Sequence, residues 1–96
     1  MNYKPGDRVR ISVNYNWAQG ASGTIDNPPD FARELVEGDS RWEDHRRLVQ
    51  GVAGLIEIYW VWFDEPHHDP DGDGPYKGSE IESDALELLD SDSIQN

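Results

Sequence analysis

The residues with the clearest chemical potential form an acidic, glycine-rich stretch that runs from Asp69 to Glu80. This stretch fits the calcium-loop pattern Asp-x-Asp-x-Asp-Gly-x5-Glu. Hard carboxylate and carbonyl oxygens are the ligands that Ca²⁺ prefers, and a glycine permits the sharp turn between them. The pattern predicts five ligand groups: the side chains of Asp69, Asp71, Asp73 and Glu80, and the backbone carbonyl of Pro75.

The same stretch also fits an exposed acidic turn that binds nothing. A calcium loop of this pattern normally lies between two helices, whereas the residues before Asp69 predict a strand. Aspartate and glycine are common in turns because they tolerate unusual backbone angles. We favour the acidic turn, and calcium binding remains the alternative interpretation.

Other patterns that could indicate chemistry are weaker. His67 and His68 precede the loop, but adjacent side chains of an extended chain point to opposite faces, so two neighbouring imidazoles rarely share one metal ion. The chain has no cysteine nucleophile, and no serine stands in a Gly-x-Ser-x-Gly turn. Gly20 and Gly23 lack the strand-to-helix context of a phosphate loop. The sequence therefore predicts a protein that is not an enzyme.

The charge distribution argues against nucleic-acid binding. The net charge is −12, from 20 acidic and 8 basic residues. From Asp64 to the end, eleven acidic residues stand against Lys77 alone. A nucleic-acid binder places lysine and arginine against phosphates. An acidic end of this kind suits cations or a basic protein partner.

Length and composition predict one intracellular domain. The chain has 96 residues, which is enough for a single core, and no disulfide can stabilise it. We expect the domain to cover residues 1–89 and the acidic tail, residues 90–96, to be disordered. The absence of cysteine suits a reducing cytoplasm, the first residues lack the pattern of a signal peptide, and no segment is long and apolar enough to span a membrane. The predicted location is the cytoplasm.

The element that must position the acidic loop is the apolar stretch before it, Leu55–Pro66. Its β-branched and aromatic residues predict a central strand at Ile56–Phe63. Pro66 cannot donate a hydrogen bond to a sheet, so we expect it to end the strand. Side chains of a strand alternate between its faces, which places Tyr59, Val61 and Phe63 on one face and Ile56, Ile58, Trp60 and Trp62 on the other.

Shorter strands are predicted on both sides of this central strand. Val9, Ile11 and Val13 alternate with polar residues and indicate a first strand with one buried face. Gly23–Asp26 predicts a second strand. Ile81 and Leu86–Leu88 predict a closing strand, with a short helical turn at Ser83–Leu86 as the competing interpretation. The predicted core is made of the apolar strand positions Val9, Ile11, Ile25, Val61, Phe63 and Leu86.

Residues 27–54 differ in character from the strands around them and are interpreted as a partly helical insertion. Asp30 is a candidate N-cap, and Gly38 a candidate end, for a helix of one to two turns. Ser40 and Glu43 have the spacing of a capping box. The sequence does not decide between helix and strand for Ser40–Val49.

Four short motifs resemble a small SH3-like antiparallel barrel. They are Pro-Gly-Asp-Arg-Val-Arg-Ile at the start, Gly-x-x-Gly-Thr-Ile at Gly20–Ile25, Tyr-x-Val-x-Phe-Asp at Tyr59–Asp64, and a terminal Ile…Leu-x-Leu. The third motif implies that Tyr59, Val61 and Phe63 face the core. The pattern is similar to that of photosystem I reaction-centre subunit IV, the ferredoxin–thioredoxin reductase variable chain and subunit S of the cyanobacterial NAD(P)H dehydrogenase, and to other bacterial chains. The resemblance implies a mostly β fold and a non-catalytic subunit that docks on a larger assembly.

The tryptophans of the central strand complete the list of candidate functional residues. If Tyr59, Val61 and Phe63 face the core, Trp60 and Trp62 need either a cover or a partner. We favour a cover formed by Phe31, Leu35 and Trp42 of the insertion, because large exposed apolar patches are unusual on monomers. The functional alternative is a docking surface for a protein partner at Trp60 and Trp62, since tryptophan is a preferred anchor at interfaces.

Overall fold

The structure is a computed structural model that describes residues 2–34 and 42–89. Most of the described chain forms one antiparallel sheet of six strands. The strands are β1 (Arg8–Ile11), β2 (Ser22–Ile25), β3 (Arg46–Gly51), β4 (Gly54–His67), β5 (Tyr76–Glu82) and β6 (Leu86–Leu88). The helical elements described are α1 (Asp30–Glu34) and a 3₁₀ turn (Ser83–Ala85). No described helix is long and apolar enough to cross a membrane.

The strands are paired in the order β6–β1–β2–β4–β5, and β3 adds to the first half of β4. Every pairing is antiparallel. The predicted fold class, a mostly β, SH3-like antiparallel barrel, is confirmed. Both interpretations of the closing segment hold in part, because the 3₁₀ turn comes first and β6 follows it.

The strand β4 is longer than the sequence predicted and includes Pro66. The prediction that Pro66 ends the strand is wrong. The pairing of β4 with β5 shifts register between Trp62 and His67. A proline is tolerated at such an irregularity because its missing N–H interrupts no regular ladder.

The core lies on the inner face of β4, as predicted. The six predicted core residues are all buried, together with Tyr3, Tyr59 and Ile81. Val13, in contrast, is 76% exposed. Its predicted inward position is wrong because β1 ends at Ile11, and the chain then turns where the Tyr15 amide donates to the Ser12 carbonyl.

The insertion contains a short helix and a β-hairpin. The amides of Ala32 and Arg33 both donate to the carbonyl of Pro29. Since the N-cap carbonyl accepts the first helical hydrogen bond, Pro29 is the N-cap and the prediction of Asp30 was one residue late. The open choice for Ser40–Val49 resolves to strand from Arg46 onward, while Glu43 pairs with Arg46 in an isolated bridge. Leu35, Gly38, Ser40 and the tail lie outside the described residues.

Polar groups connect three strands on the outer face. The Arg8 guanidinium donates to both carboxylate oxygens of Asp64 at 2.6 Å, and the Ser22 hydroxyl donates to Asp64 at 2.7 Å. These hydrogen bonds lower the pKa of Asp64 from 3.8 to about 2. They link β1 and β2 to the second half of β4.

Candidate functional site

The acidic loop connects β4 to β5, and the carboxylate of Asp69 organises it. One oxygen of Asp69, Oδ1, accepts the backbone amides of Asp71 at 3.0 Å and Asp73 at 2.8 Å. The Asp69 amide donates to the Asp73 carbonyl, and the Gly72 amide donates to the Asp69 carbonyl. Aspartate commonly forms turns of this kind with its own backbone. Asp69 therefore has a structural role in the loop.

The five predicted calcium ligands are not gathered in this structure. Glu80 lies on β5, and its Oε2 is 3.2 Å from Nε of Arg47. All five predicted ligands are among the described residues, and within that part of the chain no three acidic or histidine side chains converge on a metal position. The ring of His67 packs on Phe63, whereas His68 is exposed. Calcium binding stays a prediction.

A pocket lies beside the acidic loop, and two aromatic residues form much of its wall. We call it the acidic pocket, since Asp69 lines it. Its volume is about 360 Å³, and its lining residues are Asn16, Trp17, Asp69, Pro70, Tyr76 and Ser79. The rings of Trp17 and Tyr76 meet edge to face with centroids 5.9 Å apart. Trp17 also packs on Phe63, which places this pocket on the side of the inner face of β4.

The environment of Tyr76 is strongly negative. Desolvation raises the pKa of the Tyr76 hydroxyl, and the charges of Asp69, Asp73 and Asp71 raise it further. Negative charges near a phenol disfavour its ionised form, the phenolate. The same negative charges attract a bound cation. The acidic pocket thus combines aromatic ring faces with negative charge.

A second pocket, of about 250 Å³, lies on the other side of β5. We call it the tryptophan pocket. Its lining residues are Phe31, Ala32, Trp42, Arg47, Trp60, Tyr76, Gly78, Ser79 and Glu80. In the register of β5 with β4, Glu80 lies opposite Trp60 and Gly78 lies opposite Trp62, so all four share the outer face. The two pockets share only Tyr76 and Ser79, which separate them.

β5 contributes wall residues to both pockets. Among the described residues it pairs with β4 alone. The loop after β1 also contacts β5, since the Tyr15 side chain hydrogen-bonds the backbone of Glu82 and the Trp17 ring packs on Tyr76.

The indole N–H of Trp60 lacks a hydrogen-bond partner. The Trp60 side chain is buried, with 6% exposure, and Nε1 has no acceptor among the described residues. The neighbouring Trp62 differs, since its Nε1 donates to the carbonyl of Asn27 at 2.9 Å. A Cβ atom added to Gly78 would lie 2.9 Å from Nε1 of Trp60. Gly78 therefore packs directly against the indole edge, where a larger residue would collide with it, and Nε1 itself is fully buried.

Arg47 forms the opposite wall of the tryptophan pocket. Its guanidinium carbon lies 5.6 Å from the centre of the Trp42 ring, a cation–π distance. Its Nε is within ion-pair distance of Glu80 but makes no aligned hydrogen bond in the described structure. The side chain is only 15% exposed, so this charge is held in place by packing.

The predicted cover of the tryptophans is present in part. Trp42 packs on Trp60 with ring centroids 6.0 Å apart, and Trp60 packs on Trp62 at 5.6 Å. Phe31 is 65% exposed, so its predicted role as a cover is wrong. The predicted docking surface therefore has Trp60 as a pocket wall and Trp62 as a partly exposed neighbour.

Sequence reasoning did not assign Trp17, Tyr76, Gly78 or Arg47 to a site. One available signal was Gly78, because an isolated glycine within a strand pattern often marks a close approach to the backbone. The position of Arg47 had no such signal, since it depends on the pairing of β3. Comparison with known proteins adds no further assignment: no protein-family model, curated protein or solved structure matches this chain.

Proposed function

We propose that the protein is a non-catalytic interaction module that binds an extended segment of a protein partner along the open edge of β5. The observation that supports this proposal is that β5 lines two pockets while pairing, among the described residues, with β4 alone. In strand addition, backbone hydrogen bonds supply affinity, and pockets for alternate side chains supply specificity. The arrangement of β5 suits both contributions.

The aromatic residues of the two pockets favour a protein partner. Tryptophan, tyrosine and arginine are the residues most enriched among the dominant contacts of protein interfaces. Here Trp17, Tyr76, Trp60 and Arg47 line the two pockets. Such residues provide large contact areas at a low cost in side-chain entropy.

The resemblance to small-barrel subunits points in the same direction. Photosystem I reaction-centre subunit IV, the ferredoxin–thioredoxin reductase variable chain and subunit S of the NAD(P)H dehydrogenase are non-catalytic subunits that dock on larger complexes. We propose that this chain is likewise a small subunit of an assembly, in the cytoplasm.

The proposal can be tested by affinity capture from the native host with two matched variants. Tyr76→Ser changes the residue that both pockets share, and Val52→Ser changes an equally apolar but fully exposed residue in the β3–β4 turn. We expect wild type and Val52→Ser to recover the same partner in near-equal amounts, and Tyr76→Ser to bind it at least about tenfold more weakly. Thermal melts of both variants must show a folded protein.

Two results would overturn the proposal. If Val52→Ser alone loses the partner, docking uses the β3–β4 hairpin instead of the β5 edge. If both variants retain it, neither surface is the docking site.

A further inference from the structure

The acidic pocket combines the features of a site for a small organic cation. We propose that it binds a fully methylated ammonium group, such as the head group of choline, against the rings of Trp17 and Tyr76 and beside the carboxylate of Asp69. This site goes beyond the proposed function, because it requires no segment along β5. The pocket volume of about 360 Å³ falls within the range of roughly 300–1,000 Å³ that is usual for small-molecule sites.

The rings of Trp17 and Tyr76 form a corner. Their planes make an angle of 80° and their centroids lie 5.9 Å apart, so the edge of one ring meets the face of the other. In such a contact, two ring faces adjoin at nearly a right angle. The face of an aromatic ring is its negative side, and a cation within about 6 Å of the centroid is attracted to it. A cation in this corner therefore meets two ring faces at once.

Both rings are held in place by the fold. Trp17 is partly buried and packs edge to face on Phe63, with ring centroids 5.5 Å apart. Tyr76 begins β5, where it pairs with His67 of β4, and its hydroxyl is hydrogen-bonded to the carboxylate of Asp69. A site whose side chains are already ordered loses little conformational entropy when a ligand binds.

The electrostatic field at the pocket is negative. Asp69 lines the pocket, and none of the described lining residues is basic. Desolvation raises the pKa of Tyr76, and the charges of Asp69, Asp73 and Asp71 raise it further, so the field of the loop reaches the ring that forms the wall. The net charge of −12 adds a long-range attraction for cations.

The hydrogen bonds of Asp69 favour a methylated ammonium over one with N–H groups. Its Oδ1 already accepts the amides of Asp71 and Asp73, and the carboxylate is also bonded to the Tyr76 hydroxyl. A primary ammonium is strongly hydrated and brings three donors that need acceptors. A trimethylammonium group has no N–H, so it loses no hydrogen bond of its own when it leaves water. It uses what the pocket offers, which is negative charge and ring faces.

The test follows the indole N–H resonance of Trp17 in a ¹H–¹⁵N spectrum, assigned with the variant Trp17→Phe. The probe is choline, and the control is the dimethylbutanol in which a carbon atom replaces the nitrogen, so that the shape stays and the charge is lost. We expect choline to shift the resonance saturably with a millimolar Kd, and the neutral analogue to bind at least about fivefold more weakly. The indoles of Trp42, Trp60 and Trp62 should move little, because they do not line this pocket.

Two variants separate the charge from the rings. Asp69→Asn removes the charge but keeps a side-chain oxygen for the two backbone amides, so the loop should keep its turn. We expect it to bind choline about three- to fivefold more weakly and the neutral analogue as the wild type does. Tyr76→Leu removes one ring face and should weaken choline by at least about fivefold. Val52→Ser, in the distant β3–β4 turn, should bind choline like the wild type, and thermal melts check that each variant is folded.

Two further ligands define the class of cation. Ethanolamine is the primary-ammonium counterpart of choline, and we expect it to bind at least about threefold more weakly, because its N–H groups lose water without gaining a free carboxylate. Capped trimethyllysine carries the same head group as choline on a peptide side chain. Binding at least as tight for choline identifies a free small molecule as the source of the head group, whereas tighter binding of trimethyllysine identifies a methylated protein.

Three results would overturn the inference in different ways. If the neutral analogue binds as tightly as choline, or if Asp69→Asn leaves the affinity for choline unchanged, the pocket is not a cation site. If ethanolamine binds as tightly as choline, the specificity for methylated ammonium is wrong. If choline leaves the Trp17 resonance unmoved, the inference fails as a whole, while the capture experiment decides the proposed function independently.

Discussion

The inner and outer faces of β4 are both rich in aromatic residues, but the polar atoms of these aromatic side chains differ in their hydrogen bonding. On the inner face, Tyr59 is fully buried, and its hydroxyl accepts the backbone amide of Tyr3 at 3.1 Å. The ring of Tyr3 meets that of Tyr59 edge to face, and its own hydroxyl donates to the carbonyl of Leu86. Both tyrosine hydroxyls are thus hydrogen-bonded, although Nδ1 of His45, whose ring stacks on Tyr59, is buried without a partner among the described residues.

The outer face is closely packed, but two of its buried donors have no hydrogen-bond partner among the described residues. Trp42 and Trp60 are buried against each other, yet the indole N–H of Trp60 and the Nε–H of Arg47 make no hydrogen bond in the described structure. Buried polar groups are nearly always paired, so unpaired ones call for an explanation. The two aromatic groups therefore differ in their own polar atoms: the inner tyrosine hydroxyls are paired, and the outer indole of Trp60 is not, among the described residues.

The largest effect is expected on the inner face. Phe63→Ala removes a buried ring that packs against Trp17 and His67, and it leaves a cavity. We expect a loss of about 3–5 kcal/mol in the free energy of unfolding, measured by urea denaturation. For a domain of this size that is a large share of the total stability. A variant that stays folded with an unchanged midpoint would mean that the inner face does not hold the core.

A smaller effect should distinguish the two tryptophans of the outer face. Trp62→Phe loses the hydrogen bond to Asn27, whereas Trp60→Phe loses no hydrogen bond and removes an unpaired donor. We expect Trp62→Phe to cost about 1 kcal/mol. Trp60→Phe should be nearly neutral, because relief of the unpaired donor offsets the lost packing.

This order reverses the order of burial, since Trp60 is the more buried ring. Parallel denaturation curves of the two variants provide the measurement. If Trp60→Phe proves the more destabilising change by about 2 kcal/mol, the indole N–H has a partner in solution, and the contrast between the two faces disappears.

Sequence patterns predicted the inner face well because it depends on local alternation. The two-residue period put Val61 and Phe63 on the same face, and the resemblance of the Tyr-x-Val-x-Phe motif to small barrels indicated that this face is the inner one. The same reasoning failed at Val13, since nothing local marks the end of β1 at Ile11. The pockets depend on contacts between residues that are far apart in the sequence. The pairing of β3 brings Arg47 to Trp42, and β4 continues past Pro66 after the register shift that follows Trp62. No periodic pattern in the sequence indicates such features.

The acidic loop shows the same limit of sequence-based prediction. Its motif indicates which oxygen atoms could bind calcium, but it does not indicate how these atoms are arranged in space. The oxygens of the calcium pattern are present, but Asp69 Oδ1 already accepts two amides and Glu80 lies beside Arg47. A pattern of residue types cannot tell a ligand from a turn-forming carboxylate, since both uses require an oxygen at the same position.

The smallest expected effect concerns metal ions at this loop. Since Asp69 and Glu80 are already engaged, calcium binding would require both to exchange partners, and we expect no calcium-selective stabilisation. Millimolar calcium and magnesium should raise the melting temperature equally, by screening a chain whose net charge is −12, and the rise should be of similar size in Asp71→Asn/Asp73→Asn. A ligand that binds only the native state raises stability by RT ln(1 + [L]/Kd), a little over 1 kcal/mol at tenfold excess over Kd. A shift of that size with calcium alone, lost in the double variant, would show that the loop rearranges into the site predicted from its sequence.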